Sequence, residues 1–177
     1  MKSSGRALPL PNYKIGAERP LTLHSSPLTL HFSKEIHMKN AIIKITDRHI
    51  QDGEEYTGEL TTAGEFEASA SGCRLIYKET DEELLDCTTT LIVEGGSKIS
   101  MLRSGRYNTE MTVELDRRHS CYYTTPYGEM LMGIYCKFIE NSIGESGGTL
   151  RFAYTIDFNN IPASENELEI TVKAQEE

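Results

Sequence analysis

Between Ala41 and Lys173 the chain is a train of short two-faced segments punctuated by glycine. The clearest sets Leu150, Phe152, Tyr154, Ile156 and Phe158 on one side and Arg151, Ala153, Thr155, Asp157 and Asn159 on the other. A period of two is the signature of a β-strand with one face on an apolar interior and the other in water. About ten such segments recur, and none carries a convincing 3.6-residue stripe. Connections of roughly two to eight residues are too short for crossover helices, so neighbouring strands pair antiparallel. A meander of about eight to ten strands buries its common face best by closing, which also removes exposed edges. The expected fold is all-β: a single closed antiparallel up-and-down β-barrel.

Segments expected as strands cover 41–50, 56–68, 73–79, 87–94, 98–104, 107–115, 119–125 and 130–143, then the run beginning at Gly147-Gly148 and a last one patterned by Leu168, Ile170 and Val172. Gly58 and Gly64 share a face with Leu60 and Phe66, as expected where a long strand coils sharply at a barrel corner. Gly95-Gly96 suits the positive φ of a primed hairpin turn. Arg117 and Arg118 are placed at a turn, 80–86 in an acidic loop and 159–166 in another loop.

The 177 residues suit one domain with a real core. Residues 1–37 differ: they hold four of the six prolines, three of the five histidines and a balance of +3. They show no sustained period and no apolar stretch of the kind a signal peptide needs. They read as a disordered or non-native extension, with Met38 a candidate start and 38–177 the barrel domain. The overall charge of −9 therefore leaves −12 on residues 38–177, which repels phosphate backbones and argues against nucleic acid. No apolar run is long enough for a membrane-spanning helix. Cys73, Cys87, Cys121 and Cys136 form no CxxC pair, so buried reduced thiols are expected rather than a metal site, with a cytoplasmic setting.

Three stretches carry a family resemblance: Met101-Leu102-Arg103-Ser104-Gly105, Tyr123-Thr124-Thr125-Pro126-Tyr127-Gly128 and Leu150-Arg151-Phe152-Ala153-Tyr154. With their spacing, the chain from about Met38 to Val172 resembles the uncharacterised bacterial lipocalin-like β-barrel family typified by YwiB. The resemblance implies a calycin-type barrel in an intracellular bacterial protein, and no catalytic residues. The chain has no tryptophan, and so lacks the Gly-x-Trp signature of secreted lipocalins.

Arg103 is the exception inside the pattern, since it continues the inward face of Ile99 and Met101. A guanidinium does not lose its charge, and burying it unpaired is costly. It must meet a carboxylate, stacked aromatics, carbonyls or a bound anion; Asp47 and His49 continue an inward face and are candidate partners. The plain alternative is a structural arginine that plugs one end. His119 and Cys121 point the same way on one strand, with Asp116 nearby. At about 6.5–7 Å along a strand, direct contact between them is strained, so catalysis is not assigned there. Tyr122, Tyr123, Tyr127 and Tyr135 surround Pro126-Tyr127-Gly128, where tyrosines either seal a rim or stack on a ligand. Phe66, Tyr77, Tyr107, Phe138, Phe152, Tyr154 and Phe158 are expected to fill much of the interior.

The leading expectation is a non-enzymatic barrel that binds a small, partly apolar or anionic molecule, with Arg103, Tyr107, Tyr127 and Tyr154 as ligand-binding residues. A structural or protein-interaction barrel with a self-filled core is the alternative, and an unidentified enzyme comes third. No catalytic residue, metal site or cofactor is assigned. Partners are a small molecule or a protein, with no nucleic acid and no membrane, and the chain is expected as a monomer or weak dimer.

Overall fold

A computed structural model describes residues 38–80, 84, 86–106, 108–125 and 128–175, with the backbone alone for 121–125 and 128–130. The expectations for residues 1–37, Tyr107 and Tyr127 lie outside the described residues. Ten strands follow one another: β1 (Lys39–Gln51), β2 (Glu54–Ser69), β3 (Gly72–Lys78), β4 (Thr88–Glu94), β5 (Lys98–Ser104), β6 (Thr109–Glu114), β7 (Arg118–Thr125), β8 (Gly128–Asn141), β9 (Gly147–Phe158) and β10 (Ile161–Ala174). They form one antiparallel sheet in the order β6-β5-β4-β3-β2-β1-β10-β9-β8-β7. Apart from the β1–β10 pairing, every neighbour in the sheet is also a neighbour in sequence.

The sheet curls into a nearly closed barrel whose free edges are β6 and β7. Among the described residues the only backbone bridge at this seam joins Glu114 to Arg117, just ahead of β7, and β6 also lies against β8. Across that seam, His119 Nε2 lies 2.6 Å from Glu114 Oε2. Closure along the seam therefore rests on packing and side chains rather than on a continuous ladder.

Inside is one continuous apolar cluster, with Ile43, Ile45, Leu75, Leu91, Ile99, Leu150, Phe152 and Ile170 fully shielded. Alternation places these side chains inward and Lys44, Thr46 and Lys78 outward, as period-two strands require. Gly64 is demanded by this curvature. A Cβ there would stand 2.5 Å from Ile76 O and 2.6 Å from Ile43 Cδ1.

Three features depart from the expectation. Residues 161–166 belong to β10, and the turn is only Asn159-Asn160, both at positive φ (52° and 65°), which is the primed-turn geometry that Asn tolerates. Pro162 disguises the strand, and it sits where the β9–β10 register shifts between Pro162 and Ser164. Arg118 opens β7 instead of lying in the turn. Phe138 is not an interior residue: a register shift between Cys136 and Phe138 reverses the parity of β8. Its ring instead lies 5.6 Å below the Arg151 guanidinium, a cation–π contact.

Candidate functional site

The turns divide the barrel into two rims. One rim carries the β1–β2 turn at Asp52-Gly53, the Glu79–Cys87 connection, the β5–β6 connection and Asn159-Asn160. Six inward polar side chains gather near it: Asp47, His49, Glu79, Thr89, Arg103 and Asn166. Each occupies the next inward position beyond an apolar run. Ile43 and Ile45 lead to Asp47 and His49, Leu75 and Tyr77 to Glu79, Ile99 and Met101 to Arg103. On the strands of opposite direction, Leu91 steps back to Thr89 and Leu168 to Asn166. The strand directions thus bring the polar ends of five inward faces to a single rim.

One half of the cluster is closed on itself. Arg103 Nη2 donates to Glu79 Oε1 at 3.2 Å, Thr89 Oγ1 donates to the same oxygen at 2.6 Å, and Arg103 Nε reaches Thr89 Oγ1 at 3.4 Å. Thr89 stands between Tyr77 and Arg103 in register, which explains its place as the bridge. All three side chains are buried. A salt bridge so withdrawn from water is stable only with such extra hydrogen bonds.

The other half is built by β1, β9 and β10, where His49, Asn166 and Tyr154 stand side by side in register. His49 stacks on Tyr56 with ring centroids 4.9 Å apart, and its Nδ1 lies 3.8 Å from Asp47 Oδ2. Asn166 Nδ2 donates to Ser164 Oγ at 3.1 Å and to the Tyr154 carbonyl at 3.5 Å, which fixes where its Oδ1 points. Both His49 Nδ1 and Asn166 Oδ1 are shielded from solvent and have no hydrogen-bond partner among the described residues. Gly58, opposite Asp47 on β2, puts no side chain beside it.

Tyr154 couples the halves. Burial pushes its hydroxyl well above the ordinary tyrosine value; the Arg103 charge opposes that shift and the Asp47 charge adds to it. Of the four residues expected to bind ligand, Arg103 and Tyr154 share this rim. Glu79, Thr89 and Asn166 were missed, although continuing each alternation past its last apolar residue finds all three.

The His119–Cys121 reading gains little. The His119 ring is partly exposed and bonded to Glu114, near the opposite rim. Tyr135 points outward and is 47% exposed. Cys73, Cys87 and Cys136 are free and buried. Among the described residues no group of three or more His, Cys, Asp or Glu is placed to hold a metal ion, and no helix is long and apolar enough to cross a membrane.

Fold and site together define a nearly closed meander barrel with an apolar interior and one polar, ionisable end. The chain belongs to the family described as a domain of unknown function (DUF1934), whose model matches residues 43–170. No curated protein matches it. Among solved structures it is similar to the crystal structure of the ywiB protein from Bacillus subtilis, with 18% sequence identity and a TM-score of 0.62. The likeness covers 78% of this chain and 94% of that one, and at this identity it bears on the fold alone.

Proposed function

We propose that this barrel binds a small molecule at its polar rim, against Asp47, His49, Tyr154 and Asn166. The observation that carries the reading is the orphaned pair His49 Nδ1 and Asn166 Oδ1, buried on cross-strand partners. A buried polar atom without a partner costs about 1–3 kcal/mol, a penalty that a ligand group would relieve. Partial exposure of His49 and Tyr56 gives the rim an approach from solvent. The free thiols support a reducing, cytoplasmic setting, and the up-and-down meander supports a lipocalin-like placement.

Native mass spectrometry of the full chain, purified without added ligand, tests this. The expected result is a non-covalent adduct that disappears on denaturation and is diminished in Asn166→Leu. A wholly unliganded spectrum, with no stabilisation by any compound of a broad metabolite library, would remove the reading.

The second reading, a protein-interaction barrel, draws on the seam. Among the described residues the only backbone bridge at the seam of β6 and β7 joins Glu114 to Arg117, and a free edge can accept a partner strand. A concentration-dependent mass in light scattering, abolished by proline at a β6 edge position, would favour it.

A further inference from the structure

The polarity of the two orphaned atoms narrows what the rim accepts, and we infer that its occupant presents an uncharged amide edge, a carboxamide or ring lactam whose N–H faces Asn166. This inference rests on the binding reading above and deepens it.

Asn166 is only 3% exposed, and both hydrogens of its Nδ2 are spent, on Ser164 Oγ and on the Tyr154 carbonyl. What remains is Oδ1, shielded and unpartnered, which only accepts. The group that meets it must therefore donate. A carboxylate, ester or ketone would set oxygen against oxygen there, and a hydrocarbon would leave the orphan as it is.

His49 stands opposite Asn166 in register across β1 and β10, and its Nδ1 is orphaned as well. Either nitrogen of a neutral imidazole can carry the hydrogen, so Nδ1 meets a donor or an acceptor according to tautomer. Side chains opposed in this way stand about 5 Å apart at Cβ, so one small head group can reach both. An amide edge holds a donor and an acceptor side by side. Its N–H suits Asn166 Oδ1, and its carbonyl suits His49 Nδ1 in the N–H tautomer.

The row in register runs Tyr154, Asn166, His49, Tyr56, with an aromatic residue at each end and the His49 ring stacked on Tyr56 at 15°. A flat group with apolar faces and a polar edge matches such a row. Arg103 and Glu79 hold each other, and Asp47 has an interaction of its own, so no buried charge described at the rim is without a partner. A charged head group would be desolvated with no unmatched counter-ion to receive it, a cost that an uncharged amide avoids.

Calorimetric titration and thermal shift of the full-length chain test this, with probes that differ in the N–H alone or in charge. Benzamide is set against N,N-dimethylbenzamide, uracil against its di-N-methyl derivative, and benzamidinium serves as a charged donor. Benzamide or uracil is expected to bind at least about tenfold more tightly than its methylated counterpart, which leaves Asn166 Oδ1 buried and unpaired. Preference for benzamide identifies an open carboxamide, and preference for uracil a ring lactam. The preference should vanish in Asn166→Leu, and the wild-type comparison stands even if that variant folds poorly. Equal binding of parent and methylated probes, or tighter binding of benzamidinium than of benzamide, would overturn the amide inference and leave the binding reading intact. Absence of binding by every probe would overturn it too, and an adduct-free native spectrum beside that result would remove both. A preference undiminished in Asn166→Leu and in His49→Phe would place the amide elsewhere and overturn this assignment.

Discussion

Arg103 and Glu79 form a salt bridge inside the barrel, Nη2 to Oε1 at 3.2 Å, with side chains only 4% and 6% exposed. They come from β5 and from the residue that follows β3, and Thr89 on the intervening β4 ties them together. The pair occupies positions where the alternation calls for apolar side chains. Its stability therefore depends on each member having the other.

Removing one member strands a buried charge, which typically costs about 3–5 kcal/mol. Glu79→Leu is expected to lower unfolding free energy by that order, and Arg103→Met by a similar amount. The double variant Glu79→Leu/Arg103→Met should recover much of the loss, since an apolar pair of similar volume removes the desolvation penalty altogether. Urea unfolding of the four proteins gives the coupling directly. Additive losses would mean that the two charges do not depend on each other.

Gly64→Ala isolates the role of curvature. The added methyl would lie 2.5 Å from a backbone oxygen, Ile76 O, which cannot swing aside as a side chain can. Overpacking of this kind costs roughly 1–3 kcal/mol, and here it should reach the upper part of that range. The expected signature is a lowered urea midpoint with strong amide shifts confined to β1, β2 and β3. Unchanged stability would show that the barrel bends elsewhere.

How far the sequence carries depends on whether one rule suffices locally. Between Ile43 and Ile45, or from Leu150 to Ile156, alternation alone assigns both strand and face, because each inward residue meets only the core. Phe138 defeated that rule: one extra residue at the β8 bulge reverses the parity of all that follows, and nothing in its composition announces the bulge. Pro162 hid the start of β10 in the same way. The candidate site was half legible. Arg103 stood out as a charge on an apolar face, but Glu79 read only as the last residue of the strand expected over 73–79 and was not matched to it. Choosing between Glu79, Asp47 and His49 as its partner needed the order of strands around the barrel, in which β3 lies two strands from β5. Asn166 was hidden by the loop assigned across 159–166.

On the outer surface Arg118 grips Asp157 with two hydrogen bonds, Nη2 to Oδ1 at 2.7 Å and Nε to Oδ2 at 3.1 Å, beside Gly133. The Arg118 hydrogen bonds hold the Asp157 carboxyl below its ordinary value. A depressed carboxylate contributes stability that is present above the unfolded-state pKa and is lost as pH falls through the folded-state value. The pair is largely solvated, so water and salt screen it and its contribution is small. Gly133→Ala puts a methyl into contact with the Arg118 guanidinium, whose flexible end can move away. The Asp157 pKa, followed by carbon-detected NMR, should rise in Gly133→Ala and in Arg118→Gln. The stability gap between Arg118→Gln and wild type should close as pH falls through the depressed folded-state pKa of Asp157. A gap that persists there would assign the loss to packing.

The buried thiols titrate in the opposite sense. Burial pushes Cys73 up to about 11, partly offset by its contact with Asn141, and pushes Cys136 up to about 11 with a further contribution from the Asp116 charge. A thiol whose folded-state pKa is raised contributes stability that is fully present below the unfolded value of 9.0 and is lost as pH rises through about 11. The thiolate is the reactive species, and a shift of about two units leaves roughly a hundredfold less of it near neutral pH. Iodoacetamide at pH 8 should therefore leave Cys73 and Cys136 unmodified in the folded chain and label both in urea, as read by peptide mass spectrometry. The urea midpoint should fall between pH 9 and 11, and the fall should be shallower in Cys73→Ala/Cys136→Ala than in the wild type. Rapid labelling of either thiol under native conditions would mean that the barrel opens locally at β3 or β8, because the static burial of both side chains leaves an approaching reagent no other route.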